Sequence, residues 1–294
     1  VTQEIEMIKL SQKMFSTTEI FESCLTGIDD QNLQNLYRTQ FNNLDSECDR
    51  YHLLAQNEQL FQYPPNNEKK DTAALGSITK SQLINLYKQY FSVIGKPARK
   101  YYDQIKISAP QNICPYCRIG EVTTIDHYLP KAKFPLFSIY HNNLVPACKD
   151  CQFEKKTGYA NTHTSQTLHP YYDRAEYFST TWLFADVIGN TWPYVQFRAT
   201  PAANLSEPIK RRIESHFVAY KLADRYRIQS GVALAELFFI LKPMRGNSGL
   251  IRDNLKSNAA AMRDAQINSW RAALYEGLGD SDWYCRVGCA LPPV

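Results

Sequence analysis

Two short stretches, Cys114-Pro115-Tyr116-Cys117 and Cys148-Lys149-Asp150-Cys151, frame the segment on which the fold turns, in the pattern C-x2-C-x30-C-x2-C. A tight CxxC loop lets two thiolates converge, and two such loops supply the four ligands of a tetrahedral zinc site. Pro115 stiffens the first loop. A shell filled by four thiolates keeps no open position, so a zinc held by Cys114, Cys117, Cys148 and Cys151 is structural and clamps the start of the segment to its end. The alternative at this point is a pair of disulfides or free thiols. The other four cysteines, Cys24, Cys48, Cys285 and Cys289, are scattered towards the ends of the chain.

Around this segment the composition is that of a globular protein. The 294 residues carry 44% hydrophobic side chains and 13% aromatics, enough for a real core and too much for wholesale disorder. With 33 Lys+Arg against 29 Asp+Glu the net charge is +4, which permits a polyanionic partner without demanding one. No apolar run approaches the ~18 residues of a membrane span, so no membrane partner is expected. The opening residues lack the basic-then-apolar layout of a secretory signal, and paired CxxC loops in such a chain point to a reducing, cytoplasmic setting.

Periodicity divides the chain into three regions. Residues 1–107 read as helical: Leu83, Ile84, Tyr87, Phe91 and Ile94 give Ser81–Ile94 one apolar helical face, and Asp45–Leu60 is a weaker helix ended by Pro64-Pro65. Residues 108–175 hold the cysteine loops, with a strand at Glu121–Ile125, a turn at Asn142–Pro146 and a short helix over 149–157 ended by Gly158. Residues 176–294 begin with a hairpin, Thr181–Ile188 and Trp192–Arg198 about a Gly189-Asn190 turn. Helices follow over Ser206–Gln229, Val232–Leu241 and Ser248–Leu278. The fold class is α+β and mostly helical, a small zinc-stapled core inserted between helical regions, plus the hairpin.

Between the cysteine loops, Thr124-Ile125-Asp126-His127-Tyr128-Leu129-Pro130 and His141-Asn142-Asn143-Leu144-Val145-Pro146 concentrate the chemistry. A carboxylate is a hard ligand suited to Mg²⁺, and an imidazole is a base poised near neutral pH. Phosphodiester hydrolysis needs both functions. Together with the four cysteines, this stretch resembles the HNH endonuclease family in its zinc-stapled form, whose core is a ββα-metal finger. The resemblance covers residues 114–173, a minority of the chain.

The resemblance implies an enzyme that hydrolyses phosphodiester bonds of DNA with Mg²⁺ or Mn²⁺. Asp126 would bind the catalytic metal, His127 would activate the attacking water, and Asn143 would be the middle Asn of the motif. The family's last motif residue, usually His or Asn, falls at Gln152, whose amide carbonyl reaches further; His169 is a second candidate to complete the metal shell. Because a nearby metal charge keeps His127 neutral, activity is expected to fall at acid pH. Lys131, Lys133, Lys155 and Lys156 are candidates to meet phosphate, as is the basic group Lys210, Arg211, Arg212, Lys221, Arg225 and Arg227, although such a run is also what a solvated helix face looks like. By analogy with HNH effectors of prokaryotic (antiphage) defence, the helical regions would bind a protein partner, a second copy of the chain, or DNA. The alternative is a zinc-stapled module that binds nucleic acid or protein with weak or lost catalysis.

Overall fold

A computed structural model describes residues 9–11, 15–188 and 191–292. The chain is mostly helical, with three two-stranded antiparallel sheets, a mixed α+β architecture. It divides into two compact units whose boundary lies between Asp173 and Arg174.

The first unit opens with three helices. α1 (Thr17–Thr26) starts at Ser16, whose hydroxyl accepts from the Glu19 amide. α2 (Gln31–Thr39) starts at Asp30, which caps Asn32 and Leu33. α3 (Phe41–Gln56) begins four residues before the helix expected from sequence. A small hairpin of β1 (Ala73–Leu75) and β2 (Ile78–Thr79) turns at Gly76, whose φ of +54° and whose contact with Gln40 leave no room for a Cβ.

Thr79 then starts α4 (Lys80–Asn85) in a reciprocal capping box with Gln82, and the chain continues without a break into a π-helical turn, Leu86–Phe91. The apolar face read from the sequence is therefore real, but its second half is wound more widely than an α-helix. α5 (Arg99–Lys106) completes the helical part. β3 (Thr124–His127) pairs with β4 (Leu144–Ala147), and α6 (Lys149–Lys155) follows immediately. α6 ends where Lys156 takes a φ of +51°, two residues short of the expected Gly158.

One hydrophobic core runs through this unit. Ile20, Phe21 and Leu25 of α1 share it with Leu83, Leu86 and Phe91 and with Ile125, Ile139 and Leu144. The sequence separated 1–107 from 108–175; in the structure the two stretches bury their apolar side chains against each other.

The second unit holds α7 (Glu176–Ser179), the hairpin β5 (Leu183–Ile188) and β6 (Tyr194–Ala199), and five more helices. The Gly189-Asn190 turn lies outside the described residues. The helices are α8 (Glu207–Ala219), α9 (Leu222–Ile240), α10 (Ser248–Ala265), α11 (Trp270–Asp280) and α12 (Asp282–Arg286). The breaks differ from the sequence reading. Lys221, at φ +49°, separates α8 from α9, whereas Gly231 sits inside α9. Between α10 and α11 the chain extends so that Asn268 can accept from the Trp182 and Leu183 amides at the start of β5.

Candidate active site and zinc site

The four sulfurs predicted from spacing meet. Cys114, Cys117, Cys148 and Cys151 are buried, their Sγ atoms lie within 4.8 Å of one another, and no disulfide joins any of the cysteines. Cys117 Sγ and Cys148 Sγ are 3.7 Å apart. A tetrahedron with Zn–S near ~2.3 Å requires sulfur spacings of about 3.8 Å, so the cluster fits zinc.

Local backbone geometry builds each loop. In the first, the Arg118 amide returns to the Cys114 carbonyl at 2.9 Å, with Arg118 at φ +60°, and the Gly120 amide points to Cys117 Sγ at 3.4 Å. A Cβ on Gly120 would stand 2.6 Å from Cys148 Cβ, so glycine is required for the loops to close on each other. In the second, Cys148 is the N-cap of α6 and its sulfur accepts from the Cys151 amide at 3.4 Å. Burial pushes the Cys114 and Cys151 thiols up, so four thiolates share this pocket only around a cation.

Above the cysteines, the two strands and α6 form a ββα unit. In the β3–β4 register Asp126 lies opposite Val145 and His127 opposite Leu144. Asp126 and His127 are buried, and both residues line one cleft of about 400 Å³, together with Lys70, Ile84, Lys88, Pro130, Lys131, Ala132, Gln152, Lys156 and Thr157.

The His127 imidazole makes a single hydrogen bond among the described residues. Its Nε2 is 2.9 Å from the Ser138 carbonyl, which can only accept, so Nε2 carries the proton and Nδ1 keeps its lone pair. Nδ1 has no hydrogen-bond partner among the described residues. The edge of the Tyr87 ring packs on the imidazole at a centroid distance of 4.5 Å. Burial holds His127 well below the usual histidine range, and the Lys131 and Lys155 ammonium groups add to this, against the Ser138 bond. The imidazole is neutral.

Asp126 is also buried. Its Oδ2 accepts from Lys155 Nζ at 2.5 Å and from the Tyr116 hydroxyl at 3.2 Å, while Lys155 also donates to the His127 carbonyl. Asp126 Oδ1 has no partner among the described residues. Gln152 donates Nε2 to the Ile125 carbonyl at 3.1 Å, which leaves its Oε1 without a partner there too. Carboxylate and amide oxygens of this kind are the hard donors that Mg²⁺ takes.

Asn143 does not border the cleft. It is fully buried with its amide saturated: Nδ2 donates to the Leu129 and Phe137 carbonyls at 3.0 and 3.1 Å, and Oδ1 accepts from the Leu129 amide and the Tyr51 hydroxyl at 2.7 and 3.2 Å. It pins the loop that carries Ser138 and so acts on His127 through that loop.

The structure does not bring His169 to Asp126. Its Nδ1 accepts from the Tyr171 amide at 3.2 Å, so Nε2 is the protonated nitrogen and faces the Tyr51 hydroxyl at 3.1 Å. Tilted against the Tyr128 ring at a centroid distance of 4.0 Å, it has no lone pair left for a metal and instead braces Tyr51, and through it Asn143.

Of the candidate phosphate contacts, Lys131 and Lys156 border the cleft. Lys155 is committed to Asp126, and Lys133 bonds Asn67 Oδ1 at 2.7 Å outside the cleft. Lys70, Lys88, Tyr87, Tyr116 and Ser138 were not anticipated as site residues. For Tyr87 the apolar face of Ser81–Ile94 was the only available signal, and it reads equally as core.

No family model and no solved structure matches the chain. Protein ea31 of Escherichia phage lambda is 30% identical over 295 residues, an alignment that covers 95% of this chain and 99% of that protein. No helix among the described residues is long and apolar enough to cross a membrane. The likeness runs along nearly the whole of both chains, and the chain belongs to the family of the phage lambda protein ea31.

Proposed function

We propose that this protein is a metal-dependent HNH-type endonuclease that hydrolyses phosphodiester bonds of DNA. The observation that carries the reading is the tautomer of His127: with Nε2 spent on Ser138, the free Nδ1 is a base beside a carboxylate at the edge of an open, cationic cleft. The proposal concerns the chemistry alone; ea31 is a phage protein, and no defence setting is carried over.

In this scheme neutral His127 takes the proton of the attacking water at Nδ1, while the Ser138 carbonyl steadies the imidazolium that forms. Asp126 and Gln152 would hold a Mg²⁺ or Mn²⁺ ion, which supplies charge stabilisation to the phosphate and the departing oxygen. Tyr116 and Lys155 fix Asp126 Oδ2 and leave Oδ1 turned free. Asn143 and Tyr51 hold the loop from which Ser138 reaches the imidazole.

Cutting of plasmid DNA in Mg²⁺ or Mn²⁺ tests the reading. His127→Ala should lower the rate by roughly 10²–10⁴-fold with zinc content and circular dichroism unchanged. In the native protein the rate should stay level from about pH 8 to about pH 6 and fall only in more acid solution, because burial keeps the imidazole neutral below the usual histidine range. Undiminished cutting by His127→Ala sinks the proposal.

A second reading, a zinc-stapled binding module with lost catalysis, is favoured by the Lys155–Asp126 ion pair, in which the carboxylate already has a cation. It expects no metal-stimulated cutting by the native protein, and cutting gained in Gln152→His.

A further inference from the structure

Charge is distributed unevenly over this protein. The basic group of α8 and α9 expected to meet phosphate is partly self-neutralised: Lys210 pairs with Glu207, Arg211 with Glu214 and Arg227 with Asp224. The cleft is different. Lys70, Lys88, Lys131 and Lys156 all border it, and none of these ammonium groups has a salt bridge or hydrogen bond among the described residues. The one carboxylate in the lining, Asp126, is already matched by Lys155.

Two of these lysines come from the finger and two from the helical part of the unit. Lys88 lies on the π-helical turn, one residue after the Tyr87 that packs on His127, and π turns recur at functional sites. Lys131 stands over the Tyr87 ring at 4.8 Å and Lys156 over Phe153 at 5.0 Å. Burial, and after it the charge of Lys88, holds the Lys131 ammonium below the usual lysine range, with the Asp126 carboxylate acting the other way.

We propose that Lys70 and Lys88 join Lys131 and Lys156 in a cationic wall that holds successive backbone phosphates of a DNA strand against His127, so that the helical region supplies half of the substrate site. The inference rests on the nuclease reading and adds its substrate-binding surface. Lysines are point charges suited to phosphodiester monoanions, whereas no arginine fork for a phosphate monoester is present in the lining. The remaining lining, Ile84, Pro130, Ala132 and Thr157, offers no aromatic face for a base, so the cleft grips backbone and reads no sequence.

The test measures binding of a labelled DNA duplex to the full, zinc-loaded chain carrying His127→Ala, without added Mg²⁺, across about 50–300 mM salt. Lys70→Gln with Lys88→Gln should flatten the slope of log K against log salt by roughly 2, with about a tenfold or greater loss of affinity at low salt. Lys133→Gln with Lys149→Gln removes the same charge outside the cleft and should leave the slope unchanged. Zinc content and circular dichroism certify each fold. An unaltered slope in the Lys70/Lys88 pair, or an equal change in the control pair, overturns the inference. If the Lys70/Lys88 pair, in an otherwise native chain, still cuts DNA while its slope is unaltered, the nuclease reading stands and the wall alone falls. A parent that does not bind DNA overturns both.

Discussion

His127 and His141 stand a short loop apart in the chain, and their environments do different work. His127 spends one nitrogen on Ser138 and keeps the other without a hydrogen-bond partner among the described residues. His141 is buried in the edges of Phe15 and Tyr140 with its Nδ1 unbonded, and burial pushes its pKa down to about 4. Below about pH 6.5 the unfolded chain takes up a proton at this position that the folded chain refuses, so stability is full above 6.5 and is lost as pH falls towards 4. The loss attached to His141 is on the order of 3 kcal/mol. Denaturant titrations between pH 7 and 4 should therefore show a falling stability, and His141→Gln should flatten the fall; an unchanged pH dependence in that variant refutes the assignment.

At the scale of elements, a hairpin of two four-residue strands and a seven-residue helix is too small to hold its own geometry. The cysteine cluster ties the chain before β3 to the start of α6, and Gly120 is where the two loops touch. Gly120→Ala forces the added methyl onto Cys148, so the purified variant should carry substoichiometric zinc and lose it to a chelator that the parent resists. Full zinc occupancy in Gly120→Ala would show that the loops have room to spare. The π-helical turn is the second device at this scale. It brings Tyr87 onto the imidazole from a region with no sequence motif of its own.

For the molecule as a whole, the consequence is that the finger is not a separable domain. Ile125, Ile139 and Leu144 are buried together with Ile20, Phe21 and Leu86, so residues 108–175 alone would expose the face that α1 and the π turn cover. A fragment spanning residues 1–173 is expected to fold cooperatively and bind zinc, whereas residues 108–175 should remain unfolded even with zinc present. Circular dichroism and zinc content of the two fragments decide this; a folded 108–175 fragment would show that zinc alone suffices.

Much of the finger was legible in the chain itself. Two CxxC loops at that spacing predict a metal because ligand type and local loop geometry are properties of short segments, and Asp126 and His127 drew notice because they stand side by side between those loops. The helix after the second loop and the β5–β6 hairpin were readable for the same reason, since capping, turn chemistry and alternation act over a few residues. What remained hidden depends on contacts between distant residues. That His169 serves Tyr51 rather than a metal, that Lys155 belongs to Asp126, that Ser138 selects the histidine tautomer, and that Lys70 and Lys88 face the cleft are outcomes of packing across tens of residues of intervening chain. A side chain's type and local periodicity limit what it can do, but which partner it meets is settled only when the shared core closes.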